Sequence, residues 1–253
     1  MIVAWAAAAV AAAFGVHLLV RFVRRGRWYE GVWAVALLMF ATGSAALALG
    51  LTEGWTSVEF RVYWLFGAVL TVPYLALGEV YLLAQFKNQP PLWMARSRLL
   101  LPAYRFIGRN KAHLALVVVL AATAFATLEV RGASLDLDVL ASEEFFTGKE
   151  VLGADATART LALIYSYTGT AVLVLGILWS ALGMRGKPHL RGRLYGAVLI
   201  LLGALVVAGG SAFAAAGNAE GFSVTLAVGV VVMYLGFLTA ARPSAVDQGA
   251  GQG

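Results

Sequence analysis

The chain has 253 residues, of which 61% are hydrophobic and only 13% charged, about half the charged content of a soluble domain; with a mean hydropathy of +0.82, this excludes an ordinary soluble fold. Cysteine is absent, which removes disulfides, thiolate nucleophiles and cysteine metal sites together. The net charge of +6 would suit nucleic acid only as a basic patch on a soluble surface; here the basic residues fall between apolar runs, so no nucleic-acid partner is expected.

A helix needs about 20 apolar residues to cross a hydrocarbon core of about 30 Å. Seven such runs occur, at 2–20, 32–51, 62–84, 113–130, 160–182, 194–216 and 222–241. The expected fold is therefore an all-α integral membrane protein, with residues 1–241 as a single seven-helix domain.

Nothing basic precedes Ile2, and Arg21 follows the first run directly. This predicts an uncleaved helix with its N-terminus outside rather than a signal peptide. The first loop carries Arg21, Arg24, Arg25 and Arg27. The second run, with Ala36, Gly43 and Gly50 at intervals of seven, leads to a loop with Glu53 and Glu59. The third run contains Pro73, Tyr74 and Glu79.

Residues 85–112 mix Pro90, Pro91 and Trp93 with Lys87, Arg96, Arg98, Arg105, Arg109 and Lys111 among leucines and aromatics. Such a mixture predicts a basic interfacial segment facing anionic headgroups. The fourth run is the shortest. It is followed at 131–159 by a loop rich in acids, among them Asp136, Asp138, Glu143, Glu144, Glu150 and Asp155. That loop is read as a solvated connection, with a cap over the outer face as the other reading.

The fifth run carries Tyr165, Ser166, Tyr167, Thr168 and Thr170, then glycines at 169, 176 and 183; the loop after it holds Arg185, Lys187, Arg191 and Arg193. The sixth has Gly196, Gly203, Gly210 and Gly217, and the seventh Gly229 and Gly236. Residues 242–253 have no apolar face and are expected to be a disordered tail.

Basic residues crowd the odd loops and acids the even ones, so the odd loops are predicted to be cytoplasmic, with the N-terminus out and the C-terminus in. Trp28 and Trp93 then belong to the inner aromatic belt, and Trp5, Trp55 and Trp64 to the outer one. Arginine in excess of lysine and abundant alanine hint at a GC-rich bacterial genome, hence a bacterial inner membrane.

The glycine stripes mark faces where helix backbones approach closely. Such faces pair helices within the chain, with a partner's helices or in a homo-oligomer. Gly43-Ser44-Ala45 also matches Gly210-Ser211-Ala212. If the second span corresponds to the sixth, 1–84 and 160–241 are parallel half-repeats joined by helix 113–130. Chance matches in an Ala/Gly-rich chain are the plainer explanation. A parallel 3+1+3 layout resembles the architecture of the SWEET sugar transporters, which implies a transporter plan. The chain departs from that family in having Pro73 as its one proline within a span and in lacking a Pro-Gln motif.

Glu79 stands out because a carboxylate within a span is costly and marks function by default. His17 is expected at a similar depth, so a His17–Glu79 pair is predicted if their helices touch; it would be a proton-linked site, a ligand anchor or a structural clasp. Pro73 is the expected hinge beside Tyr74. Tyr165, Tyr167, Ser44 and Ser211, with Thr42 and Thr225, would line an outward-facing pocket, or else bond to their own helices as such hydroxyls commonly do.

Retinal needs a lysine within a helix, and Lys87, Lys111, Lys149 and Lys187 all fall in loops. His17, His113 and His189 do not make facing haem ligands. No metal-ligand cluster, nucleophile with its base, or phosphate-cradling loop is present, so no cofactor and no metal is expected. The leading expectation is a non-enzymatic transporter or binder of a small molecule or lipid. The alternative is an integral accessory or sensory subunit of a membrane complex, and a cryptic intramembrane enzyme ranks third.

Overall fold

A computed structural model describes residues 2–85, 100–142, 146–153, 156–184 and 191–241, without the side chains of 85, 100–109, 180–184, 191, 193, 215, 240 and 241. All regular structure among them is helical, and seven helices are long and apolar enough to cross a membrane. The first span is α1 (Ile2–Arg25) and the second α2 (Trp28–Glu53). The third combines α3 (Ser57–Val62), a π-helical stretch (Tyr63–Leu70) and α4 (Thr71–Gln85). The fourth lies within α5 (Leu100–Gly132), followed by the short α6 (Leu137–Leu140) and α7 (Gly148–Leu152). The fifth, sixth and seventh are α8 (Thr157–Met184), α9 (Arg191–Ala215) and α10 (Ala219–Ala241).

Helix α5 runs unbroken from Leu100, so residues 100–112 continue into the fourth span. Residues 86–99, and with them Lys87, Arg96 and Arg98, lie outside the described residues, as do Glu143, Glu144, Asp155 and the 242–253 tail.

Three features of the first three spans have a local cause. The link between α1 and α2 is only Gly26 and Arg27; Gly26 adopts φ +66°, the left-handed region that closes helices and that glycine enters without a steric penalty. Thr56 and Glu59 form a capping box at the start of α3, satisfying two orphan N–H groups reciprocally. In α4, Pro73 has no N–H to donate to the preceding turn, and the segment before it is π-helical. There the Thr71 hydroxyl donates to the Phe66 carbonyl at 2.5 Å.

Spans one, two, three, five, six and seven follow one another around a ring: one packs on two, two on three, three on five, five on six, six on seven, and seven back on one. The fourth span sits outside it against the third and fifth. The glycine stripes lie at these interfaces. A Cβ on Gly203 would sit 2.5 Å from the Gly229 carbonyl oxygen, and one on Gly236 2.8 Å from that of Gly196, so α9 and α10 meet backbone to backbone. Gly43 stands equally close to Gly67 of the π-helical stretch.

The 131–159 loop is folded against the helix ends. Phe60, Val130, Leu140, Phe146, Val151 and Leu152 form one buried cluster. Arg61 donates to the carbonyls of Val130, Arg131 and Ala133, and the Trp64 indole to that of Ala158 at 3.2 Å. The described part of the loop therefore packs apolar side chains on the helix ends, as the cap reading has it.

Candidate functional site

The second helix begins at Trp28 rather than near Val32, which brings Glu30 into the bundle. Its carboxylate is fully buried. The Arg21 guanidinium donates to Oε1 from Nε at 3.1 Å and from Nη2 at 2.9 Å. Glu30 Oε2 is buried with no hydrogen-bond partner. The same guanidinium lies 4.8 Å from the centre of the Phe237 ring on α10, a cation–π distance. One arginine thus joins three helices. Sequence reasoning took Arg21 as a loop residue and passed over Glu30. The signal was available: opposite charges five residues before and four residues after Gly26, which a two-residue link folds onto each other.

Glu79 is 2% exposed. It lies on α4 against Gly176 of α8, where an added Cβ would come 2.5 Å from Glu79 Cγ and 3.3 Å from Oε1. One heptad away, Gly169 faces Val72 and the nitrogen of Pro73 in the same manner. The glycine stripe of the fifth span therefore accommodates the two features of the third span that the sequence singled out. His17 is placed elsewhere. Its Nδ1 is 3.4 Å from the Tyr234 hydroxyl, and the rings of Tyr234 and Phe237 stand edge-on at 6.1 and 5.9 Å. The contacts resolved for His17 are with the seventh span and those for Glu79 with the fifth.

Tyr74 and Tyr165 converge on the fourth span. Tyr74 is buried and its hydroxyl is 3.2 Å from Thr123 Oγ1; Thr123 in turn donates to the Val119 carbonyl. Tyr165 donates to the Ala122 carbonyl at 3.1 Å. Both phenols thereby fasten the peripheral helix to the ring. Tyr167 is 73% exposed and faces away from the bundle. Ser44 is buried, whereas Ser211 is exposed and donates to the Ala208 carbonyl. Thr42 and Thr225 bond to their own helices in the same way. Ser211, Thr42 and Thr225 thus bond within their own helices.

At the centre of the ring lies a cavity of about 20 Å³, with Phe14, Leu37, Leu75, Leu173, Ile200 and Met233 each contributing from a different span. Its wall is apolar, and its size is that of about one water molecule. The Trp33 indole beside it donates to the Leu75 carbonyl at 3.0 Å, so that edge carries no open polar atom. One turn from this cavity toward the arginine-bearing end, Leu18 gives way to Arg21, Trp33 to Glu30, and Leu75 to Glu79. Both buried carboxylates thus belong to the turn below an apolar chamber. No group of three or more potential metal ligands occurs among the described residues.

Compared with protein-family models, curated proteins and solved structures, the chain matches none of them.

Proposed function

We propose that the chain is a non-enzymatic, proton-linked carrier or binder of a small molecule or lipid, and that Glu79 is the residue that takes the proton. The observation that carries this reading is the burial of Glu79 at the junction of the third and fifth spans, in a span that passes from π-helical to α-helical geometry just before Pro73. Intramembrane carboxylates mark proton and substrate paths, and π-helical stretches are frequent at functional sites. The ring order, with spans one to three and five to seven as two arcs and the fourth outside, supports parallel half-repeats; the third–fifth junction is then one of two seams between them. The loop charges support an N-out, C-in orientation in a bacterial inner membrane, and this orientation sets Glu79 toward the cytoplasm.

The test is proton flux into proteoliposomes containing the full chain, driven by a potassium diffusion potential and read with an entrapped pH dye. Wild type should exceed empty vesicles, and Glu79→Gln should return to the empty-vesicle rate while keeping the wild-type helical circular dichroism. Equal flux in the two proteins, or none in either, refutes the reading. The small apolar cavity favours a second reading, an accessory or sensory subunit with no conducting path. The glycine faces described above are occupied within the chain, so a partner on this reading would dock elsewhere.

A further inference from the structure

The apolar chamber at the ring centre brings side chains of all six ring spans, Leu37 of the second and Met233 of the seventh among them, to one level around about 20 Å³ of space. A water needs about two to four polar partners to occupy a cavity, and apolar cavities of about 150 Å³ still stay dry. This wall offers no such partner, because the Trp33 indole N–H is donated to the Leu75 carbonyl. Gly78 keeps the indole in that place, since a Cβ there would collide with its ring.

A level at which water cannot stand breaks any hydrogen-bonded chain along the ring axis. Apolar constrictions of this kind close pores by dewetting. One helical turn from the chamber, on its basic side, come Arg21, Glu30 and Glu79 of spans one, two and three. The chamber therefore lies between both buried carboxylates and the opposite end of the axis.

We propose that the chamber is a hydrophobic gate, whose apolar side chains keep water and protons from passing between the level of Glu79 and the opposite end of the ring. The gate rests on the carrier reading for the path that it closes. On the accessory-subunit reading the same side chains are only core, and making them polar would alter stability without opening a path.

The test is the proton-flux measurement in proteoliposomes of the full chain, applied to the chamber wall. Leu37→Asn and Met233→Gln nearly preserve side-chain shape while placing an amide in that wall, on the second and seventh spans and away from the third–fifth junction of Glu79. Each should raise flux at least about tenfold over wild type, the factor given by about 1.4 kcal/mol off a barrier. Leu37→Met keeps the wall apolar and should stay at the wild-type rate. So should Leu47→Asn, which is as deeply buried on the same helix but packs with Phe222 and Leu226 rather than on the chamber. Helical circular dichroism establishes that each variant has folded, and Met233→Gln decides the matter if Leu37→Asn does not fold. A folded Leu37→Asn or Met233→Gln at the wild-type rate overturns the gate, as does a leak of equal size from Leu37→Met or Leu47→Asn. Wild type against empty vesicles tests the carrier reading, and variant against wild type tests the gate, so either can fail alone.

Discussion

The two halves of the ring solve the same packing problem with different chemistry. In 160–241, α9 and α10 meet through glycines that let backbone touch backbone, with no buried charge at the contact among the described residues. In 1–84, close approach also occurs, at Gly43 and Gly67, but the two acids buried among the described residues, Glu30 and Glu79, belong to this half. Glycine serves adhesion in one place. At the seam between the halves, Gly176 instead leaves room for a carboxylate. Lipid tails offer helices no hydrophobic drive to associate, so dispersion at short range can hold the second half, whereas charges within the first half must be matched one by one.

The sharpest way to break this contrast is to unmatch a charge. Arg21→Met leaves Glu30 buried and uncompensated and should cost about 3–5 kcal/mol in mixed-micelle unfolding; adding Glu30→Met should recover most of that loss, because an apolar pair of similar volume replaces an ion pair at little cost. Recovery absent in the double variant would mean that the pair is not what holds these helices. In the second half the matching perturbation is Gly203→Ala. Its methyl would meet the Gly229 carbonyl oxygen and the Met233 nitrogen at 2.5 and 2.7 Å, backbone atoms that cannot swing aside. An overpacking loss of about 1–3 kcal/mol should exceed the helix propensity gained.

Gly176→Ala should behave differently, since the atoms it meets belong to the Glu79 side chain. Rotamer adjustment limits the loss to about 1 kcal/mol, yet proton flux should fall because the carboxylate has moved. A variant as unstable as Gly203→Ala would erase the distinction between the two stripes. Tyr165→Phe removes the bond to the Ala122 carbonyl and should cost about 1 kcal/mol, seen as faster hydrogen exchange in α5.

The smallest effect lies outside the ring. The Thr147 backbone N–H donated to the Glu150 carboxylate holds its pKa below the ordinary carboxylate value, with the Thr147 side chain adding to this. A depressed folded-state pKa contributes stability above the unfolded-state value that is lost as pH falls through the folded one. Protection of the α7 amides, taken relative to their intrinsic exchange rates, should therefore fall under acid conditions while that of α9 and α10 is kept.

How much of this could be read beforehand follows from which physics each feature obeys. The seven spans were legible because spanning length is a local property of composition. Glu79 and Pro73 were legible as anomalies within apolar runs, and the glycine stripes as periodicities. Partners were not. His17 lies on Tyr234, 217 positions away in the chain, and Tyr74 and Tyr165 turn to the fourth span because ring order, which hydropathy does not encode, puts that helix beside them. Glu30 was missed because a charge four residues past a loop glycine resembles a loop charge until the length of the turn is known.

That turn also bears on how the chain enters its membrane. With only Gly26 and Arg27 between them, the first two helices can fold back on each other as soon as both have been synthesised. Arg21 and Glu30 then lie close enough to neutralise each other within that hairpin. The hairpin would then already hold, with its charge matched by Glu30, the arginine on which the seventh helix comes to rest through Phe237.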